Sequence, residues 1–158
     1  MANEIKDKFS ASAALNITLA SLASSTSGVG RQSDLVDNTT SRYQRLLLYV
    51  KLKQGTSPTG STACYIYLIR SDADGTSPHY TDGAGASDAA ITILNAQLVG
   101  VLANTASPAT GDVLYGEFVV DLPGPKWAIA VVNSTGAALN STGSNSWARY
   151  VGVDPEVQ

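Results

Sequence analysis

The chain of 158 residues is long enough for one hydrophobic core and too short for two ordinary domains. Charged residues make up 15% of it, against the roughly 25% usual for soluble domains, and 18 Ser with 14 Thr fill the difference, so the surface is neutral-polar. Ten Lys and Arg against 13 Asp and Glu give a net charge of −3, without the basic field a nucleic-acid binder needs, and one Cys with one His rule out an intramolecular disulfide or a Cys/His zinc site.

Residues 1–14 read as an arm ahead of a domain spanning 15–158. The arm sets Glu4, Lys6, Asp7 and Lys8 between Ile5 and Phe9, with no strand partner evident in the chain, and a free terminus of this kind is disordered until something holds it. The mixed charges lack the apolar run of a signal peptide, which places synthesis in a cytoplasm. No apolar stretch approaches the ~20 residues that cross a bilayer, so no membrane partner is expected.

Beyond the arm, Ala13, Leu15, Ile17 and Leu19 alternate with smaller or polar residues, and an extended piece spans Val29 to Val36. Gly28-Val-Gly30-Arg31 is too short for a dinucleotide fingerprint and reads as a flexible turn. From Gln44, Leu46, Leu48, Val50 and Leu52 recur every second residue and form the core face of a strand. Thr62 to Arg70 has Tyr65, Tyr67 and Ile69 on one face and Cys64, Ile66 and Leu68 on the other, the pattern of a central strand apolar on both sides. The turn residues Gly55 to Gly60 between these runs suggest a hairpin. Further strands are expected over Gln97 to Ala103, Val113 to Leu122, Lys126 to Asn133 and Asn145 to Val153, with Leu114, Gly116, Phe118, Val120 and Leu122 on a buried face that packs against Leu46 to Leu52. At most one helical turn fits near Ser87 to Leu94. About eight strands with Gly, Pro and Ser turns define an all-β fold, a two-sheet antiparallel β-sandwich of jelly-roll type. The weakly patterned stretch Ser71 to Ala90 is a long excursion from one end of it.

Residues that carry chemistry are sparse. His79, in Thr76-Ser-Pro78-His79-Tyr80, has no partner that would polarise a nucleophile, and Cys64 sits in the most apolar strand, where a thiol behaves as a small hydrophobe. Asp72-Ala-Asp74-Gly75 opens like a calcium loop, but the twelfth position is Gly83 instead of Glu, so a plain turn is the better reading. The Asn-X-Thr triplets at Asn16, Asn38, Asn133 and Asn140 follow from the Asn/Ser/Thr-rich composition. Trp127 alternates with Ile129 and Val131, and Trp147 with Val151, which reads both indoles as core. The expectation is a chain that is not an enzyme and carries no cofactor.

A set of landmarks spreads over nearly the whole chain from about Leu15: Leu22-Ala-Ser, Gly30-Arg31-Gln-Ser, Val36-Asp37-Asn38-Thr39-Thr40, Gly55-Thr-Ser-Pro58-Thr-Gly60, Tyr65-Ile-Tyr67-Leu with the Ser-Asp-Ala-Asp-Gly75 loop, and Tyr80-Thr-Asp82-Gly83. It continues with Leu98-Val-Gly100, Leu122-Pro-Gly-Pro125-Lys-Trp127, Val131-Val-Asn133-Ser-Thr-Gly136-Ala-Ala-Leu139 and Tyr150-Val-Gly152. In this pattern the sequence resembles the decoration, or cement, proteins of tailed-bacteriophage heads. The resemblance implies a jelly-roll virion protein that docks on the outer surface of an assembled capsid and bridges major capsid protein subunits, as a dimer or trimer. On that expectation Ile5, Lys6, Lys8 and Phe9 of the arm meet the capsid or a neighbouring subunit, the apolar pair filling pockets and the lysines meeting acidic groups. Two other classes make different demands: a glycan-binding module on a virion or tail requires an exposed aromatic platform, and a hydrolase requires a cleft with a polarised nucleophile.

Overall fold

The computed structural model describes residues 4–26, 28–71, 87–91, 93 and 96–157. Its strands are β1 (Ile5–Phe9), β2 (Ala13–Ala14), β3 (Val29–Gln32), β4 (Val36–Asp37), β5 (Arg45–Lys53), β6 (Ala63–Ser71), β7 (Ala89–Ala90), β8 (Gln97–Ala103), β9 (Val113–Asp121), β10 (Lys126–Asn133) and β11 (Trp147–Val157). One sheet has the order β1-β11-β5-β9, with β2 also on β11; the other has the order β7-β3-β10-β6-β8, with β4 also on β10.

β1 and β2 lie in line along β11, and β3 and β4 in line along β10, so each pair acts as one interrupted strand. The pairing is then nested: the first strand meets the last, β3/β4 meets β10, β5 meets β9 and β6 meets β8, all antiparallel. One long hairpin has been rolled up, and the β11–β5 and β10–β6 ladders close the roll. The fold is the expected jelly-roll sandwich, with β7 as a short addition at one edge.

Alternation in β5 explains the core. Leu46, Leu48, Val50 and Leu52 are buried and face the opposite sheet, where Cys64, Ile66 and Leu68 of β6 and Trp127, Ile129 and Val131 of β10 meet them. Leu46, Leu48 and Leu52 lie directly beside Val120, Phe118 and Leu114 in the register, so the expected contact with β9 runs along one sheet, not across the sandwich. Trp127 spans the gap to β11, its ring edge-on to Tyr150 at 5.0 Å between centroids. Phe118 closes the seam between edge strands β8 and β9 where Gly100 and Gly116 leave room; a Cβ on either would come within 2.3 or 2.5 Å of its ring.

The β5 and β6 runs are not a hairpin: the chain between them crosses from one sheet to the other. Strand structure over 13–20 is limited to Ala13–Ala14, because Ile17 N–H turns back to Leu15 O and Ser21 takes φ 56°; Leu15, Leu19 and Leu22 fill the core from irregular backbone instead. The expected turn at Gly28 to Arg31 is mostly β3, and Ala89–Ala90, within the segment read as a helical turn, pairs with β3 as β7. Leu122, expected inside, is 70% exposed, since its φ of 48° swings it out of the β9 alternation.

The two outer faces differ. Over the six-stranded sheet, Ile69, Ala128, Ala130 and Val132 are buried in one cluster with Ile91, and Leu35, Tyr65, Tyr67 and Ala96 pack against it. Ile91 approaches because Gly30 has no side chain; a Cβ there would lie 2.3 Å from Ile91 Cδ1. The cover is pinned by Arg31, whose guanidinium meets Asp88 at 2.5 Å and donates to Thr18 and Ala20 carbonyls at 2.8 Å. The outer face of the β1-β11-β5-β9 sheet carries no comparable cover among the described residues.

Candidate functional site

The residues singled out in the arm form one edge of the open sheet. Ile5 to Phe9 pair with Val157 to Val153, so the arm has its strand partner within the chain, the chain's own last strand. β5 pairs with β11 only as far as Val153. Residues 5–8 and 154–157 therefore extend past β5 as a two-stranded ribbon, and every residue of β1 is exposed. The ribbon is two-faced. Lys6 and Lys8 share a side with Glu156 and Asp154, and Lys8 Nζ meets Glu156 at 3.0 Å. That hydrogen bond and charge raise the Lys8 pKa above its ordinary value. Ile5 and Phe9, 70% and 59% exposed, share the other side with Pro155 and Val153.

This second side continues the outer face of the sheet. Register places Phe9 beside Val153, then Arg45 and Asp121, whose side chains pair at 2.8 Å. The next row across β11, β5 and β9 is Val151, Leu47 and Val119, then Arg149, Tyr49 and Glu117, then Trp147, Lys51 and Tyr115. Two hollows adjoin the ribbon end. One, of about 290 Å³, lies between Asp7, Arg45, Asp121 and Pro155. The other, of about 410 Å³, lies between Asn38, Arg42, Tyr43 and Pro125, and both share Gln44 and Leu122. Asn38 builds the rim of the latter: its side chain donates to Tyr43 and Gly124 carbonyls and accepts from Tyr43 N–H, fixing the loop.

At the far end of β5, Trp147, Tyr115 and Tyr49 gather around a hollow of about 250 Å³. Trp147 is half-buried on this outer face instead of lying in the core, whereas Trp127 is fully buried as expected. Tyr115 is 65% exposed and meets Trp147 at 6.4 Å between centroids and 68° between planes. Lys51 Nζ lies 5.8 Å from the Tyr115 ring centre and Arg149 Cζ 5.2 Å from that of Trp147, within cation–π range. Tyr49 donates to Glu117 at 3.5 Å; burial, followed by the Glu117 charge and hydrogen bond, holds its phenol above the ordinary value.

Elsewhere the side chains are structural. Cys64 is buried, its thiol donates to Asn133 Oδ1 at 3.5 Å, and burial pushes its pKa up to about 12, the opposite of an activated nucleophile. Asn133 is buried, and its amide donates to Leu22 and Ala137 carbonyls, which leaves no free acceptor for a glycan. His79 and the Asp72, Asp74, Asp82 and Gly83 loop lie outside the described residues. Among the described residues no group of three or more His, Cys, Asp or Glu could hold a metal ion, and no helix is long and apolar enough to cross a membrane. No family model matches the chain, and no curated protein shows significant similarity to it.

Sequence reasoning singled out the arm residues but missed their partner strand. It also missed the aromatic corner, whose members come from three strands and meet only through the β11–β5–β9 register.

Proposed function

We propose that the protein is a structural virion protein that binds the outer surface of an assembled phage capsid and bridges major capsid protein subunits. The observation that carries this reading is the ribbon end of the open sheet, where Ile5, Phe9, Val119 and Leu122 stand 57–70% exposed beside two hollows and a free strand edge. Large apolar side chains left exposed on either side of the Arg45–Asp121 pair suit a docking face on a soluble protein. An unpaired edge offers backbone N–H and C=O groups to a neighbouring chain. The charges around it, Lys6, Lys8, Asp7 and the Arg45–Asp121 pair, give orientation to the contact. The resemblance to head decoration proteins names the partner, and copies on a symmetric shell gain avidity even where each contact is weak.

The test mixes purified protein with undecorated capsids of the encoding phage and measures occupancy after sedimentation. Saturable occupancy in a fixed ratio to the major capsid protein is expected. Capsids that sediment bare at micromolar protein would overturn the proposal.

A further inference from the structure

The aromatic end of the open face has the chemistry of a saccharide site, and we infer that it binds an acidic sugar, a pyranoside bearing a carboxylate. This inference does not rest on capsid binding, because the corner lies roughly 20 Å from the ribbon end, six residues along β5 at about 3.4 Å each.

The shape comes first. Tyr115 and Trp147 stand at 68° to each other, which makes a floor and a wall, and Tyr49 closes the third side of the hollow. A pyranose has one apolar C–H face and a polar rim, so it stacks on an aromatic plane while its hydroxyls point outward. The volume of about 250 Å³ falls below the roughly 300–1,000 Å³ of pockets for drug-sized ligands and suits one sugar unit, with open space for the next. The lining gives the hydroxyls fixed partners: the Glu117 carboxylate accepts, and the Tyr49 phenol, already directed at Glu117, orients it.

Charge selects the class. Lys51 and Arg149 sit against the two rings, and among the described residues neither is within ion-pair distance of a carboxylate, unlike Arg31 and Arg45. Glu117 is the charged residue in the lining of the hollow, and Lys51 and Arg149 flank that lining against the Tyr115 and Trp147 rings, so two cations border one anion on a protein whose net charge is −3. A carboxylate on the sugar supplies the missing anion, and Arg149 holds it in the two-pronged geometry natural to guanidinium.

The experiment uses the isolated full chain with sialyllactose and trigalacturonic acid as acidic probes, lactose and maltotriose as neutral counterparts, and citrate as a non-sugar anion. Binding is followed by saturation-transfer NMR and by Trp fluorescence. We expect at least one acidic probe to bind at least tenfold more tightly than its neutral counterpart and than citrate. Tyr115→Ala, at an exposed position that leaves the fold intact, should lower that affinity at least tenfold, and Arg149→Gln should bring it down to the neutral level. Absence of binding by either acidic probe at millimolar concentration, equal binding of neutral sugars or citrate, or retention of affinity in both variants would overturn the inference. Loss of sugar binding would leave capsid occupancy untouched, so the two proposals fail separately.

Discussion

On the six-stranded sheet the outer face of the central strand β10 is built of small residues, Ala128, Ala130 and Val132, beside Ile69, Tyr67 and Tyr65 of β6, and Ile91 packs onto this face through the gap at Gly30. On the five-stranded sheet the outer face is built of larger ones, Leu47, Tyr49, Tyr115, Val119, Val151 and Trp147, and these are interleaved with Arg45, Lys51, Glu117 and Arg149. Small residues let a covering segment approach to packing distance, while long charged neighbours keep an apolar face hydrated and separate. The first face is therefore packed on by the chain itself, and the second stays open. Both proposed binding regions, the ribbon end and the aromatic corner, lie on the open side.

The sharpest way to break this contrast is a matched pair of carboxylates. Ala130→Asp places an unpaired acid beneath the cover and should cost at least about 3 kcal/mol, or prevent folding. Val119→Asp on the open face should cost no more than about 1 kcal/mol. Urea unfolding of the two variants measures both, and equal costs would show that the cover does not seal its face. Removing the cover's anchor comes next. Ile91→Ala should destabilise by about 2 kcal/mol, near the low end for truncating a buried Ile. Gly30→Ala should destabilise on its own through the contact with Ile91. Combining the two should cost less than their sum, with the residual set by the Val131 carbonyl 2.7 Å from the added Cβ. Arg31→Ala should cost about 2 kcal/mol, less than a fully buried pair, because the Asp88 side chain is 31% exposed.

A pH titration distinguishes buried interior from surface in another way. Burial holds the Cys64 thiol at about 12, above its ordinary 9.0, and raises Tyr67 and Tyr150 in the same direction. The folded state keeps these protons when the unfolded chain has lost them, so these groups contribute no pH dependence near neutrality. Stability then falls as pH rises from about 9 toward about 12. Denaturation midpoints from pH 6 to 11 check the sign. The thiol should also resist a disulfide reagent at pH 8 until the protein unfolds. The smallest effect on stability belongs to the ribbon end. Phe9→Ser and Leu122→Ser should change it by no more than about 0.5 kcal/mol while lowering capsid occupancy.

Much of the β architecture is legible from the period-two alternation of β5, β6, β9 and β10, because pleated backbone sends successive side chains to opposite faces. Alternation tells which residues share a face but not which face is covered. Trp147 does share a side with Val151, as its spacing says, yet that side points outward, since the covering segment lies over the other sheet. Leu122 keeps the right parity and is exposed, because one positive φ ends the strand before it. The β5–β6 run reads as a hairpin because turn residues join it, and turn chemistry does not reveal that the next strand enters the opposite sheet. The partner of Ile5 to Phe9 is separated from it by nearly the whole chain, beyond the reach of any local pattern.

The measurement that tests the central claim most directly is an image reconstruction of capsids decorated with the full-length chain, at a resolution that places the strands. The account predicts density outside the shell with β1, the end of β11 and Leu122 against major capsid subunits, the aromatic corner away from that contact, and occupancy lost in a Phe9→Ser/Leu122→Ser double variant that still folds. Contact through the covered face of the six-stranded sheet, undiminished occupancy in that variant, or capsids that stay bare would contradict it.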